Sequence, residues 1–206
     1  MYCLDHKKVC TFIFVLLIVL GGHVGLGQCE TIVQRARVDV GILEEGIRHN
    51  TNKGALMRYY RNNANINLNK WDAPYCGAAL FSWFLEAGLR PKVKTPEVAA
   101  NWQRANSVRL GIRTKPKDIA KLTPGMAINM RFSGNHVGVL ERPENTYAVT
   151  IEGNTSDPTD PRKKNKREGV HRKIRPYFIL ISASDWCSDA AKVDSTIYLK
   201  LKPKRL

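Results

Sequence analysis

The order of the sequence patterns predicts an α+β protein in which N-terminal helices pack on an antiparallel β-sheet. Helical periodicity dominates the chain up to about residue 105, and short runs of alternating apolar and polar residues, separated by turns, dominate the remainder. Helices followed by strands are typical of the α+β class. The 206 residues are 43% hydrophobic and 25% charged, which suits one globular domain with a sizeable core.

Four helices are expected in the first half. Thr31 and Gln34 have the spacing of a capping box and predict that the first helix begins there. A second is predicted at about 55–62, after an Asn-Lys-Gly turn. A third begins at Cys76, is apolar nearly all the way round and stops at Gly88, so it should be central and buried. A Thr-Pro-Glu start predicts a fourth at about 95–105.

The second half reads as a sheet. Pro, Gly and Asn turns separate short runs in which apolar residues alternate with polar ones, the pattern of half-buried strands. No internal repeat interrupts this order. The predicted strands cover 126–132, 136–141, 147–152, 170–174, 177–182 and 196–201.

The N-terminus reads as a secretory signal peptide over residues 1–27. Lys7 and Lys8 precede an apolar run at 9–20 that is short for a membrane span, and small residues follow it. We therefore expect a single domain over 28–206 that is secreted, periplasmic or held at the cell envelope. Cys29 is a candidate lipid attachment site, although Gln28 stands where a small residue normally precedes a lipidated cysteine.

Removal of residues 1–27 leaves three cysteines. An odd number in an exported protein predicts one disulfide and one free thiol. If Cys76 is the free one, Cys29 and Cys187 would join the two ends of the domain.

The chain is strongly basic. It has 33 basic and 18 acidic side chains, of which residues 1–27 hold Lys7, Lys8 and Asp5, so the exported part carries +14. A surplus of this size favours a polyanionic partner, and for an exported protein an anionic envelope polymer is expected. The basic loop at 157–169 is a candidate contact for it, although such runs are usually only solvated. Nucleic acid is not expected, because no aromatic residue interleaves the run.

Cys76 is the candidate nucleophile. It stands where a Pro-bearing turn becomes a helix, and the unpaired N–H groups and positive dipole of a helix N-terminus favour thiolate over thiol. The alternative is that Cys76 is a small core residue. Trp71, Asp72 and Tyr75, in the turn just ahead of it, are the candidate substrate-binding residues.

A thiol nucleophile needs a base, and the base needs a partner that orients its imidazole. His136 follows a turn and opens a strand, where its side chain can enter a cleft. Glu152 and Asn154 end the next strand, so either reaches His136 if the two strands form a hairpin. His49 lies in a polar turn, and His171 has basic neighbours and no evident carboxylate.

These motifs, in this order, resemble the CHAP-type amidases and endopeptidases of the papain-like peptidoglycan hydrolases. The matching segments surround Cys76, His136 and the Glu-Gly-Asn at 152–154, and they extend over most of residues 31–172. The resemblance implies a papain-like fold and a Cys–His pair with Glu152 as third member and Asn154 as supporting polar group. It also implies peptidoglycan as substrate and hydrolysis of an amide bond, for which no cofactor is needed. No metal site is expected, because the His and Cys residues lack the spacing of metal ligands.

Two other functions remain open at this point. A cysteine protease acting on proteins would use the same residues. A non-catalytic module that binds the envelope would use the basic surface alone.

Overall fold

The computed structural model describes residues 24–45, 53–65, 74–132, 134–160 and 167–204. Most of the predicted signal peptide, the candidate residues Trp71 and Asp72, and residues 161–166 of the basic loop lie outside these ranges. The helices in the described ranges are α1 (Val24–Asp39), α2 (Ala55–Asn63), α3 (Cys76–Glu86), α4 (Pro116–Ile119) and α5 (Ser195–Leu201), with 3-10 turns at Ala99–Trp102 and Tyr177–Ile179.

The strands form two antiparallel sheets. The strands in the described ranges are β1 (Leu89–Arg90), β2 (Val108–Arg109), β3 (Ala127–Arg131), β4 (Asn135–Pro143), β5 (Tyr147–Ser156), β6 (Glu168–Pro176), β7 (Leu180–Ser184) and β8 (Ala191–Lys192). The large sheet has six strands in the order β2-β7-β3-β4-β5-β6, and β1 pairs with β8 in a small second sheet. The predicted α+β class is therefore confirmed.

The large sheet is apolar on both faces. Successive side chains of a strand point to opposite faces, so Ala127 and Val139 face the helices, whereas Ile128 and Leu140 face a smaller core on the other side. Helix α3 lies on the helical face against β4 and β5, and all of its residues are buried. Its sequence is apolar all round because it has no exposed side.

Helix α1 corrects the capping-box prediction. It begins at Val24, so Thr31 lies inside it, and the Thr31 hydroxyl donates to the carbonyl of Gly27 at 2.9 Å instead of capping a helix start. The apolar side chains expected on this helix, including Ile32 and Val33, are buried as predicted. The periodicity was therefore more informative than the cap motif.

The predicted helix at 95–105 is wrong apart from one 3-10 turn. The indole of Trp102 donates to the Pro96 carbonyl at 2.7 Å, and the same carbonyl lies over α3, where a Cβ on Gly77 would come within 2.2 Å of it. Tertiary contacts thus use a carbonyl that a regular helix would need.

The C-terminal segment is a helix, not the predicted strand at 196–201. Asp194 accepts a hydrogen bond from the backbone N–H of Thr196 at 2.9 Å and caps α5. A six-residue run of mixed apolar and polar residues fits both the period of a strand and the period of a helix, and here the Asp194 cap selects the helix.

The predicted disulfide is present and joins Cys29 to Cys187, whose Cα atoms are 5.8 Å apart. Cys76 is the free thiol. Because the Cys29 sulfur is bonded to Cys187 in this structure, the same sulfur cannot also hold a lipid. Among the described residues, no helix combines the length and the apolar character that crossing a membrane requires.

A buried charge cluster fixes the end of α3 that lies away from Cys76. Asp39 accepts hydrogen bonds from the Tyr60 hydroxyl at 2.6 Å and the Trp83 indole at 2.9 Å. The Lys202 ammonium bridges Asp39 and Glu86, at 2.8 Å from each carboxylate. The cluster therefore joins α1, α2, α3 and the C-terminal segment.

Replacing Asp39 with alanine should strongly destabilise the fold, because it removes one of the two carboxylates that hold Lys202 and leaves the buried Tyr60 and Trp83 donors without their acceptor. A loss of about 3–5 kcal/mol is expected from urea unfolding. Arg142→Ala is the control. Arg142 forms an exposed pair with Glu144 at 2.8 Å, and its loss should change stability by less than about 1 kcal/mol. Equal effects of the two substitutions would contradict this account of the cluster.

Candidate active site

The thiol of Cys76 lies at the first residue of α3. Tyr75 is the N-cap and provides no side-chain cap, although its carbonyl accepts the first helical hydrogen bond from Ala79 at 2.8 Å. The N–H groups of the first turn are therefore not consumed by a capping side chain. Their partial positive charge stabilises an anion at this end of the helix.

The hairpin of β4 and β5 brings His136 and Glu152 together, as predicted. Val139 pairs with Ile151, and the Nε2 atom of His136 lies 3.0 Å from Oε2 of Glu152. Gly138 lies between them, and a Cβ there would come within 2.6 Å of the Glu152 Cγ. The absence of a side chain at Gly138 makes room for the carboxylate.

Two further side chains hold Glu152. Arg175 of β6 donates to both carboxylate oxygens, at 2.8 Å from Nε and 2.6 Å from Nη2, and the Thr150 hydroxyl donates at 2.5 Å. Glu152 itself has no exposed surface. Sequence reasoning missed Arg175, although a buried carboxylate requires a cation and β6 is rich in Arg and Lys.

These contacts keep Glu152 ionised. Burial alone would raise the pKa of this carboxyl, but its hydrogen bonds to Arg175 and His136, with their positive charges, hold the pKa well below its usual range. A permanent carboxylate at Nε2 fixes the tautomer and orientation of the imidazole. Since Glu152 occupies Nε2, Nδ1 is the nitrogen that remains for the thiol.

Cys76 and His136 form a coupled pair. Burial tends to raise the pKa of the Cys76 thiol, but the charge and hydrogen bond of His136 and the backbone N–H groups of Val137 and Gly77 lower it. Burial tends to lower the pKa of His136, whereas the Cys76 thiolate and Glu152 raise it. The pair therefore favours thiolate and imidazolium, the reactive state of a cysteine nucleophile.

A cleft of about 450 Å³ opens onto this pair. Phe132 stands at its rim, with its ring centre 4.7 Å from the Arg175 guanidinium and 6.1 Å from the His136 ring, and so shields both from water. A cavity of about 540 Å³ beside α2 is larger but contains no cysteine or histidine among its described lining residues. The residues lining the smaller cleft are Pro74, Cys76, Phe132, Gly134, Asn135, His136, Asn154, Thr155, Ser156, Glu168, Lys173 and Arg175.

Asn154 lies in the wall of the cleft and is not a partner of the imidazole. Strand β5 continues to Ser156, past the predicted end, through an irregularity after Glu152, and Asn154 adopts a φ of 56° there. Asn and Asp tolerate this left-handed conformation better than most residues. The Oδ1 atom of Asn154 is buried and has no hydrogen-bond partner among the described residues. Of the two predicted partners, Glu152 alone contacts His136 in the described structure.

Tyr75 corrects the substrate-binding prediction. Its side chain has no exposed surface, and its ring stacks with Tyr60 at 6.1 Å between centroids. Gly153 packs so closely against it that a Cβ there would lie 3.2 Å from Cε2 of Tyr75. Tyr75 is a core residue that seats α3 on β5. The other two candidates, Trp71 and Asp72, lie outside the described residues.

His171 is buried and is not among the residues that line the cleft. Burial lowers its pKa, and nearby Asp157 acts in the opposite direction. The expectation that no carboxylate is near it is therefore wrong, since it also pairs with Glu152 across β5 and β6. Burial, rather than the absence of an acidic neighbour, is what disfavours its protonated form.

Replacing Glu152 with glutamine should raise the pKa of the Cys76 thiol. The substitution removes the anion that favours imidazolium and leaves the Arg175 charge beside His136 without its partner. We expect the midpoint of the pH profile for alkylation of Cys76 by iodoacetamide to move up by about one unit or more. Peptide mass spectrometry would report the alkylation at Cys76.

Glu141→Gln provides a matched control. Glu141 is also a buried carboxylate held by two arginines, Arg37 at 2.7 Å and Arg172 at 2.5 Å. Unlike Glu152, it is not among the groups that act on His136, the residue through which Glu152 would influence the thiol. An equal shift in both variants would show that Glu152 has no specific effect on Cys76.

Comparisons with known proteins leave the function to be argued from this geometry. No protein-family model, curated protein or solved structure matches the chain. The site residues and their contacts are therefore the basis of the functional proposal that follows.

Proposed function

We propose that the protein is an exported cysteine hydrolase that cleaves an amide bond in peptidoglycan, as an N-acetylmuramoyl-L-alanine amidase or a peptide endopeptidase. The observation that carries the proposal is the convergence of Cys76, His136 and Glu152 at one cleft. Each of the three residues alone has an ordinary structural explanation. A free thiol at a helix N-terminus, a coupled imidazole and an orienting carboxylate together match the requirements for nucleophilic catalysis.

The site residues support a two-step reaction. The Cys76 thiolate attacks the carbonyl carbon of the substrate amide, and the C–N bond breaks as the His136 imidazolium gives its proton to the leaving amine. A thioester remains on Cys76. His136 then takes a proton from water, the hydroxide adds to the thioester, and the acid and free thiolate are released.

Two further groups assist these steps. Glu152 keeps Nδ1 of His136 directed at the sulfur by holding Nε2 at 3.0 Å. The backbone N–H of Cys76, at the N-terminus of α3, is the candidate donor to the developing oxyanion. All groups in this scheme come from the protein, and it requires no cofactor.

Peptidoglycan is the proposed substrate class for three reasons. The N-terminal segment reads as an export signal, the exported part carries +14, and the motifs resemble those of CHAP-type enzymes. A helix bearing the thiol, packed on an antiparallel sheet bearing the base, is compatible with the papain-like fold that the resemblance implies. Anionic envelope polymers, contacted through the basic loop, are the proposed additional partners.

The Cys76→Ala variant should release no soluble fragments from purified sacculi, whereas the unchanged protein should release them. Mass spectrometry of the products would identify the bond that is cut. Circular dichroism of both proteins is the control for folding. Full release by the variant would rule out Cys76 as the nucleophile.

The Cys76→Ala variant also separates the proposed function from the two competing functions. A protease acting on proteins would cleave casein in preference to sacculi, with the same loss in Cys76→Ala. A non-catalytic module would bind anionic wall polymers in a salt-sensitive way that survives Cys76→Ala, and its thiol would be unreactive at neutral pH.

The rate of hydrolysis should follow a bell-shaped pH profile, with its acidic limb below the ordinary thiol pKa of 9.0 and its alkaline limb above the ordinary histidine pKa of 6.5. Activity is lost at acid pH when the Cys76 thiolate is protonated, and the pKa of this thiol is lowered from its ordinary 9.0. Activity is lost at alkaline pH when the His136 imidazolium is deprotonated, and its pKa is raised above 6.5. Measurements of kcat/KM from pH 4 to 11 check this. Activity that appears only near pH 9 would indicate an uncoupled thiol.

A further inference from the structure

The polar groups of the cleft differ in whether they already have a partner. Arg175 binds Glu152 through two hydrogen bonds, and the Lys173 ammonium donates to the carbonyl of Ser156. The Glu168 carboxylate lines the same cleft, yet it forms no ion pair or side-chain hydrogen bond with the described residues. Arg175 and Lys173 therefore already have hydrogen-bond partners, whereas the Glu168 carboxylate has none among the described residues.

A second acceptor lies on the same wall. The Asn154 Oδ1 atom is buried without a partner, and Asn154 and Glu168 belong to the adjacent strands β5 and β6. A buried acceptor without a donor costs about 1–3 kcal/mol, so a ligand that supplies donors here is favoured. Burial raises the pKa of Glu168, as expected for a carboxylate with few compensating contacts, while the His136 charge lowers it.

We propose that Glu168, with Asn154 beside it, forms a subsite for a primary ammonium group of the substrate, next to the scissile amide. An ammonium has three donors and one positive charge, which match a carboxylate and an amide oxygen. The subsite would therefore select substrates by a free amine. Although the chain is strongly basic, the unpaired groups at this wall favour a cation.

This inference rests on the proposed function and specifies its substrate. A peptidoglycan stem peptide carries a free amine wherever its diamino acid residue is not cross-linked. Glu168 would then direct the enzyme to uncross-linked stems. Cross-linked or acylated stems, whose amine has become a neutral amide, would bind less well because they leave the Glu168 charge uncompensated.

Binding to the Cys76→Ala protein tests the subsite without requiring turnover. The probes are the tripeptide N-acetyl-L-Ala-γ-D-Glu-L-Lys with a free ε-amine and the same tripeptide acetylated on that amine too, titrated by NMR. We expect about tenfold or greater preference for the free amine, and loss of most of that preference in Cys76→Ala/Glu168→Gln. The acetylated peptide should bind the double variant at least as well as it binds Cys76→Ala, because the double variant has no Glu168 charge to leave uncompensated.

Cys76→Ala/Glu144→Gln is the matched control. Glu144 lies at the β4–β5 turn, where it pairs with Arg142 at 2.8 Å, and its substitution changes the net charge equally. Preference for the free amine should persist in it. Equal binding of the two peptides, binding of neither, or equal loss of preference in both double variants would overturn the subsite.

Failure of the subsite and failure of the proposed function give different results. If the unchanged protein cleaves sacculi but its Cys76→Ala form shows no amine preference, only the subsite is wrong. If the preference is present but sacculi are not cleaved, the subsite stands and the hydrolase assignment falls.

Discussion

The buried ion pair between Glu152 and Arg175 is the interaction on which the rest of the site depends. A carboxylate without solvent contact is costly to bury, and the cost is offset here by a bidentate arginine, a threonine hydroxyl and the imidazole of His136. Fixing this charge in turn fixes the orientation of His136. It also favours the imidazolium form, which stabilises the thiolate of Cys76. One structural charge therefore orients His136 and contributes to the protonation of the Cys76–His136 pair.

Helix α3, which carries Cys76, must keep a fixed position on the sheet that carries His136. Close contacts at small residues make this possible, since a Cβ on Gly153 would come within 2.8 Å of the Ala79 Cβ, and Gly77 meets the Pro96 carbonyl. At the other end, Trp83 joins the charge cluster around Asp39. The helix is thus held at both ends, so the distance between its N-terminal thiol and His136 is set by packing rather than by a loop.

Sequence reasoning identified Cys76, His136 and Glu152 because their spacing along the chain reflects a helix start and a hairpin, which are local features. It failed where distant contacts decide. Tyr75 looked like a cleft residue, yet tertiary packing buries it, and Arg175 joins the site only through the pairing of β5 with β6. The C-terminal run fits both the strand period and the helix period, and the Asp194 cap selects the helix. Local patterns thus predicted that Cys76, His136 and Glu152 lie close together, but not which residues support them.

The charges of the described site nearly cancel, although residues 28–206 carry +14. Cys76 and Glu152 are offset by His136 and Arg175, and one further residue of each charge, Glu168 and Lys173, also lines the cleft. The positive surplus must therefore act mainly outside the cleft. Surface charge attracts a polyanion over about one Debye length and is screened by salt, whereas buried pairs are screened much less. Salt should therefore weaken the proposed attraction to an anionic polymer far more than it weakens the buried interactions of the Cys76–His136 pair.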